Sequence, residues 1–277
     1  MSHSTTHPGQ APRVARAGRS RGTLGIGIAV GYLGLIVLIP IAALAWSGLS
    51  QGPASFWAAV SQPEVAAAIQ LSVVLAAIVT LINAVMGTII AWVLVRYRFF
   101  GRSVVDALVD LPFALPTIVA GLTLLALYGP NSPFGINIAF TRIGIAVALL
   151  LVTLPFIVRS VQPLLREADH EAEQAAASLG ASPWVTFRRI TLPELWPGIL
   201  AGSGLGFARA LGEFGAIILI AGNLPFKTQM ASVTIFGFIQ SDEPQGAAAV
   251  SLVLLVLSFM SLALFDYLER RSARSLD

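Results

Sequence analysis

Six apolar runs, over residues 24–46, 68–95, 104–128, 143–165, 195–221 and 247–267, leave little chain between them in which a soluble core could form. Each run reaches the roughly 20 residues that a helix needs to cross a hydrocarbon layer of about 30 Å. Hydrocarbon offers no partner to a backbone N–H or C=O, so every run must satisfy those groups internally, as a helix. A barrel would show shorter segments of alternating polarity instead. Composition agrees, with 56% hydrophobic and only 11% charged residues, where a soluble domain carries about 25% charged. The chain is therefore read as an all-α membrane protein, with six transmembrane helices in one domain over residues 24–267.

The flanks set its orientation. Residues 1–23 hold Arg13, Arg16, Arg19 and Arg21 among Ser, Thr, Pro and Gly, the composition of a disordered basic tail; residues 268–277 form a short second tail. The first run exceeds the 7–15 apolar residues of a signal-peptide core, so it is read as a retained helix. Fourteen basic residues fall on one side of the six runs, only Arg142 and Lys227 on the other, and Arg209 lies inside the fifth. That bias places both tails in the cytoplasm, as an even number of spans requires. The same distribution explains the pI of about 9.8 without nucleic acid. No cysteine is present, which excludes disulfides, a thiolate nucleophile and Cys-based metal sites. His3, His7 and His170 have no metal-ligand spacing, and no metal is assigned. The sole lysine, Lys227, follows Phe226 rather than the glycine of a P-loop, so no catalytic residue is assigned and the chain itself is expected to hydrolyse no ATP.

The loop over residues 166–194 differs from the others because it is long, charged and patterned as two short helices. Asp169, Glu171 and Glu173 place acid in a first turn, where the helix dipole favours it, and the helix formers Gln174, Ala175, Ala176 and Ala177 follow. Gly180 reads as a C-terminal stop. Ser182 then suits an N-cap with Pro183 at the first helical position. A compact bent element at the cytoplasmic membrane surface is expected.

Gln174-Ala175-Ala176, Gly180, Ile190 and Leu192-Pro193 resemble, in residue type and spacing, the EAA loop of ABC importer permeases. Gln174 stands where that family usually has Glu, with Glu173 just before it. Further stretches, Arg96-Tyr97-Arg98-Phe99, Asp110-Leu111-Pro112-Phe113-Ala114-Leu115-Pro116-Thr117, Leu211-Gly212-Glu213-Phe214-Gly215 and Ala221-Gly222-Asn223, are similar to sulfate/thiosulfate importer permeases of the CysT type. The resemblance implies a type I ABC importer permease fold in a bacterial inner membrane, with a cytoplasmic coupling loop made by Glu173, Gln174, Ala175, Ala176, Gly180, Ile190, Leu192 and Pro193. It also implies partners: a second, CysW-like permease, CysA-like ATPase subunits that bind ATP and Mg, and a periplasmic sulfate/thiosulfate-binding protein. No cofactor is implied for this chain. Molybdate and tungstate permeases share several of these motifs and are the alternative reading. A secondary transporter is another, which the absence of an evident internal repeat disfavours.

Ionisable groups inside spans point to function. Arg209, about 21 Å along the fifth run by helix rise, sits near the bilayer centre, one turn from Glu213 on the same face. A structural ion pair between them is the preferred expectation, with contact to a passing anion or pairing of Arg209 with Asp110 as alternatives. Asp106 and Asp110 are expected to pair with Arg96, Arg98 or Arg102. The translocation-path candidates are Arg209, Glu213, Asp110 and Thr117. The orientation is tested by single cysteines in this cysteine-free chain: a membrane-impermeant thiol reagent on intact cells should label positions 53, 132 and 242 and spare 22 and 271. The opposite pattern would reverse the topology.

Overall fold

The computed structural model describes residues 19–168 and 170–273. Most of the expected basic tail, Asp169 and the last four residues lie outside them. Every regular element among the described residues is helical. The chain falls into two units, the first ending at Trp46 and the second beginning at Ser47. α1 (Arg19–Leu33) runs through a π-helical turn (Gly34–Leu38) into α2 (Ile39–Leu49), whose last three residues belong to the second unit, and Gly25–Leu49 is long and apolar enough to cross a membrane. Its side chains Ile26, Val30, Leu35 and Leu38 are exposed, as befits a helix solvated by lipid or by another subunit.

The second unit opens with a short helix that the sequence reading passed over, α3 (Pro53–Val60), and then the 34-residue α4 (Pro63–Arg96). The third run is divided in two. It is α5 (Arg102–Ala114) and α6 (Thr117–Tyr128), bent by 115° at the break. The reason is local: Leu115 precedes Pro116, whose ring excludes the helical conformation from its predecessor, and Leu115 is extended (φ −84°, ψ 132°). Pro112 lies inside α5 near its end without breaking it. The fourth run is α7 (Arg142–Glu167), capped by the Thr141 side chain and continuous through Pro155 and Pro163.

After α7 come α8 (His170–Ser178), α9 (Pro183–Thr186) and a second π-helical turn (Phe187–Thr191), which leads into α10 (Leu192–Leu211). Here the expectation of a single span over residues 195–221 needs correction. α10 stops at Leu211, and the chain resumes as α11 (Gly215–Ile220). The short α12 (Ala231–Gln240) was not foreseen, and α13 (Pro244–Ala273) closes the fold. Four helices among the described residues are long and apolar enough to cross a membrane, five if α5 and α6 count as one. Two of the six runs read from the sequence as transmembrane helices are thus broken in the structure.

Small residues decide where these helices meet. Gly198, Gly202 and Gly206 form a ladder on α10 that faces Ser160, Ile157 and Thr153 of α7, and a methyl at Gly202 would lie 2.8 Å from the Ile157 Cα. Gly87 of α4 meets Ile157 from the other side, and Gly204 of α10 receives Phe265 of α13. Buried polar groups tie the same bundle: Asn83 of α4 donates to the Leu150 carbonyl and Thr153 Oγ1 of α7 at 3.0 and 2.9 Å, and Ser72 Oγ accepts the Ala231 N–H at 2.9 Å. α6 and α11 approach closely enough that a Cβ at Gly121 would fall 2.6 Å from the Ala216 carbonyl oxygen. Gly121→Ala is therefore expected to cost about 1–3 kcal/mol by overpacking. Gly237→Ala, on an α12 face with open space, should be neutral or slightly stabilising. Detergent unfolding midpoints that match for the two variants would refute the tight contact.

Candidate functional site

Two loci carry the residues singled out by the sequence. The first is the loop after α7. α8 ends as its glycine foretells: Gly180 has φ +85°, the Ala181 N–H reaches the Ala176 carbonyl at 3.0 Å, and the Gly180 N–H reaches that of Ala177 at 3.0 Å. These are the paired bonds of a Schellman ending, which a glycine adopts without a Cβ penalty. Ser182 then caps α9 through the Val185 N–H. Ile190 lies in the π-helical turn and Leu192-Pro193 start α10. Gln174 and Ala175 point outward, and the bend presents Leu179 and Trp184 to the exterior at 89% and 67% exposure.

Glu173, not Gln174, supplies the carboxylate of this loop. Its Oε1 accepts from Arg96 Nη2 at 2.6 Å and from Thr191 Oγ1 at 2.8 Å. One oxygen thus joins α8 to the last turn of α4 and to the π-helical turn. Arg96 lies over the Trp92 ring at 5.1 Å, Trp92 meets Phe187 edge-on at 5.3 Å, and Phe187 stacks with Trp184 at 5.7 Å. The end of α4 therefore holds both halves of the loop. The sequence alone pointed Arg96 to topology and to Asp106 or Asp110, not to this loop. The signal available was its spacing of four from Trp92, which puts both side chains on one face.

The second locus is the pair of helix breaks, after Leu211 and at Leu115-Pro116. Arg209 Nη1 pairs with Glu213 Oε2 at 2.5 Å, the i, i+4 geometry read from the sequence. Glu213 is 1% exposed, and its Oε1 accepts the Ala216 N–H at 2.8 Å. The Ser232 hydroxyl donates to the Glu213 carbonyl at 2.6 Å. One residue therefore neutralises Arg209, satisfies a free N–H at the start of α11 and takes a bond from α12. Thr117 stands beside them: a methyl at Gly215 would collide with Thr117 Oγ1 and lie 2.9 Å from the Ile118 nitrogen. The starts of α6 and α11 are thus adjacent, with Thr117 against Gly215, two residues after Glu213.

Asp110 does not join this group, and neither Asp106 nor Asp110 bonds to Arg96, Arg98 or Arg102. Arg159 of α7 takes both. Its Nε and Nη2 hold the Asp110 carboxylate at 2.7 and 2.5 Å, Nη1 reaches Asp106 Oδ1 at 2.7 Å and Gln162 Oε1 at 2.5 Å, and Nη2 also reaches the Asp106 carbonyl at 2.9 Å. The geometry is a bidentate guanidinium fork. Sequence spacing could not reveal it, because the partners are far apart in the chain and meet only through α5 packing on α7. The cluster carries two carboxylates on one guanidinium whose donors are engaged, so it offers nothing to an anion. Arg209 differs: it turns Nη1 to a single carboxylate, and 33% of its side chain stays exposed.

Residues 83–274 match the family described as binding-protein-dependent transport system inner membrane component. The chain is 42% identical over 259 residues to the sulfate transport system permease protein CysT of Escherichia coli K12, covering 91% of this chain and 94% of that protein. It is 44% identical over 250 residues to the protein of the same name from Synechocystis, with 88% and 87% covered. Among solved structures it is similar to a subunit of a bacterial alginate ABC transporter crystallised with its alginate-bound periplasmic protein, with a TM-score of 0.75 and 17% identity over 91% of this chain and 94% of that one. At that identity the likeness concerns the fold.

The second locus makes a prediction about stability. Arg209→Gln leaves the Glu213 carboxylate buried without its cation, which should cost about 3–5 kcal/mol, towards the lower end because Arg209 is partly exposed. Arg209→Gln with Glu213→Gln should recover most of the loss, since the amide can still accept the Ala216 N–H. Thermal unfolding of the purified variants reads this directly. A double variant as unstable as the single one would show that the pair contributes nothing as a unit.

Proposed function

This chain belongs to the family of binding-protein-dependent transport system inner membrane components, and we propose on that premise how its parts serve import. It is the permease subunit of an ABC importer for sulfate, a multi-pass membrane protein that is not itself a catalyst. ATP is hydrolysed by a separate, CysA-like ATPase pair on the cytoplasmic side. A CysW-like permease completes the pathway, and a periplasmic sulfate-binding protein delivers the anion. Both termini are cytoplasmic in this arrangement.

The observation that carries the reading is the elbow after α8. It exposes Leu179 and Trp184 at the tip of a charged loop, while Glu173 and Phe187 fasten that loop to the end of α4. Exposed apolar groups beside a rigid support suit an ATPase groove. Closure of the ATPases would then be felt by α4 and by α10, which starts at Leu192. Arg209 is the path residue favoured by its spare donors. Its guanidinium can meet sulfate oxygens as the pathway opens, and Glu213 limits how tightly the dianion is held.

The test concerns coupling. Valine at position 180 would be forced to positive φ at a cost of roughly 1–3 kcal/mol, so Gly180→Val should insert and fold but lose most labelled sulfate uptake, with ATPase activity weakened or no longer stimulated by the loaded binding protein. Glu173→Gln should act in the same direction more mildly. Full uptake and full stimulation in Gly180→Val would remove the coupling role from this loop. Molybdate that competes with labelled sulfate as well as unlabelled sulfate does would move the anion assignment.

A further inference from the structure

Two cavities on the face made by α4, α10 and α13 join end to end. The larger, of about 410 Å³, is walled mainly by apolar side chains that include Leu81 and Ala84 of α4, Phe207 of α10, and Leu264 of α13. The second, of about 360 Å³, contains Leu268 and Arg271 of α13, and the two share Trp196 and Leu200 of α10. The groove therefore runs from membrane depth to the end of α13 on the side that carries most of the arginines.

Its length is informative. From Phe207 to Trp196, and again from Ser261 to Ser272, it extends about 16 Å at 1.5 Å of rise per residue, close to half of a hydrocarbon layer of about 30 Å. One leaflet would be spanned. The polarity changes along that length as a single lipid does: apolar at the bilayer centre, with an indole at Trp196, where aromatic belts lie, and a guanidinium at the outer end. Arg271 is available for this. Its neighbour Arg270 pairs with Asp266 at 3.0 Å, whereas no acidic side chain pairs with Arg271 among the described residues.

We propose that this groove binds one phospholipid of the cytoplasmic leaflet, with an acyl chain along Leu264, Leu200 and Phe207 and an anionic headgroup on Arg271. Zwitterionic lipids are held less well because their headgroup brings its own cation. A cationic site between helices at the cytoplasmic surface is suited to anionic headgroups in general. The inference goes beyond sulfate import and holds or fails independently of it, because its readout is lipid retention and not uptake.

The importer complex, purified in mild detergent and examined by native mass spectrometry, should keep phosphatidylglycerol in preference to phosphatidylcholine. Arg271→Gln should lower phosphatidylglycerol affinity about fivefold, the usual contribution of one cation at an anionic surface, and leave phosphatidylcholine unchanged. Ala84→Phe, which fills the groove, should reduce both. Glycerol phosphate, which has the headgroup chemistry without chains, should displace neither. A photoreactive residue at Leu264 should form an adduct with the mass of a phospholipid. The proposal is overturned if Arg271→Gln retains phosphatidylglycerol as wild type does, if glycerol phosphate displaces it, or if the adduct at Leu264 is to the second permease subunit.

Discussion

Helices in a hydrocarbon solvent gain nothing by burying leucine against one another, because the lipid is as apolar as the partner. What remains is close packing and hydrogen bonding, and this bundle is built on both. The ladder Gly198, Gly202 and Gly206 lets the α10 backbone settle on Ser160, Ile157 and Thr153 of α7. Ile157 also fills the hollow left by Gly87 of α4, so three helices converge on one isoleucine. Dispersion between atoms at contact distance is small for each pair and large in sum. The hydrogen bonds of Asn83 to α7 fix the axial register of α4 at the same depth.

That rigid centre makes the two broken helices tolerable. Irregular backbone at membrane depth is permitted only where protein buries it and supplies its missing partners. The break after Leu211 meets both conditions: Glu213 caps α11, Ser232 bonds back to Glu213, and Leu211, Ala216 and Ile217 are fully buried. The break at Leu115-Pro116 lies beside it, since α6 packs against α11 through Gly121 and Ala216. Two short helices thus begin side by side, with Arg209 at the same place. A half-helix start is a positive dipole end, and the buried Glu213 carboxylate tempers that field, which bears on the pathway proposed for a dianion.

The sequence was informative where the cause of structure is local. Apolar length gave the membrane class, and five of the six runs coincide with the four long apolar helices and the bent pair. The Gly180, Ser182 and Pro183 signals gave the elbow, with its Schellman bonds and its cap, nearly residue by residue. The i, i+4 rule gave Arg209 and Glu213. It failed where the cause is distant. Asp106 and Asp110 were matched to arginines near in sequence, but Arg159 binds them from α7, and hydropathy could not distinguish a span from a run broken by a capping glutamate. The glycine ladder of α10 was present in the sequence as a repeat of four and was simply not read.

The replacement of the usual Glu by Gln174 then has a physical answer. A carboxylate in this loop is useful if it holds the loop to the membrane helices, and that depends on where the side chain points. Gln174 points outward. Glu173 is one residue earlier, about 100° round the helix, and faces Arg96 and Thr191 together. An exposed ion pair would add at most about 1 kcal/mol, but here the arginine and glutamate side chains are only 15% and 20% exposed, and the same oxygen takes a hydroxyl donor from the turn that leads into α10. Pulling α8 away from the membrane would break the Glu173 link to Arg96 and the link to the turn before α10 in one step. The loop is therefore fastened to both α4 and the start of α10, the mechanical property that the proposed coupling role requires.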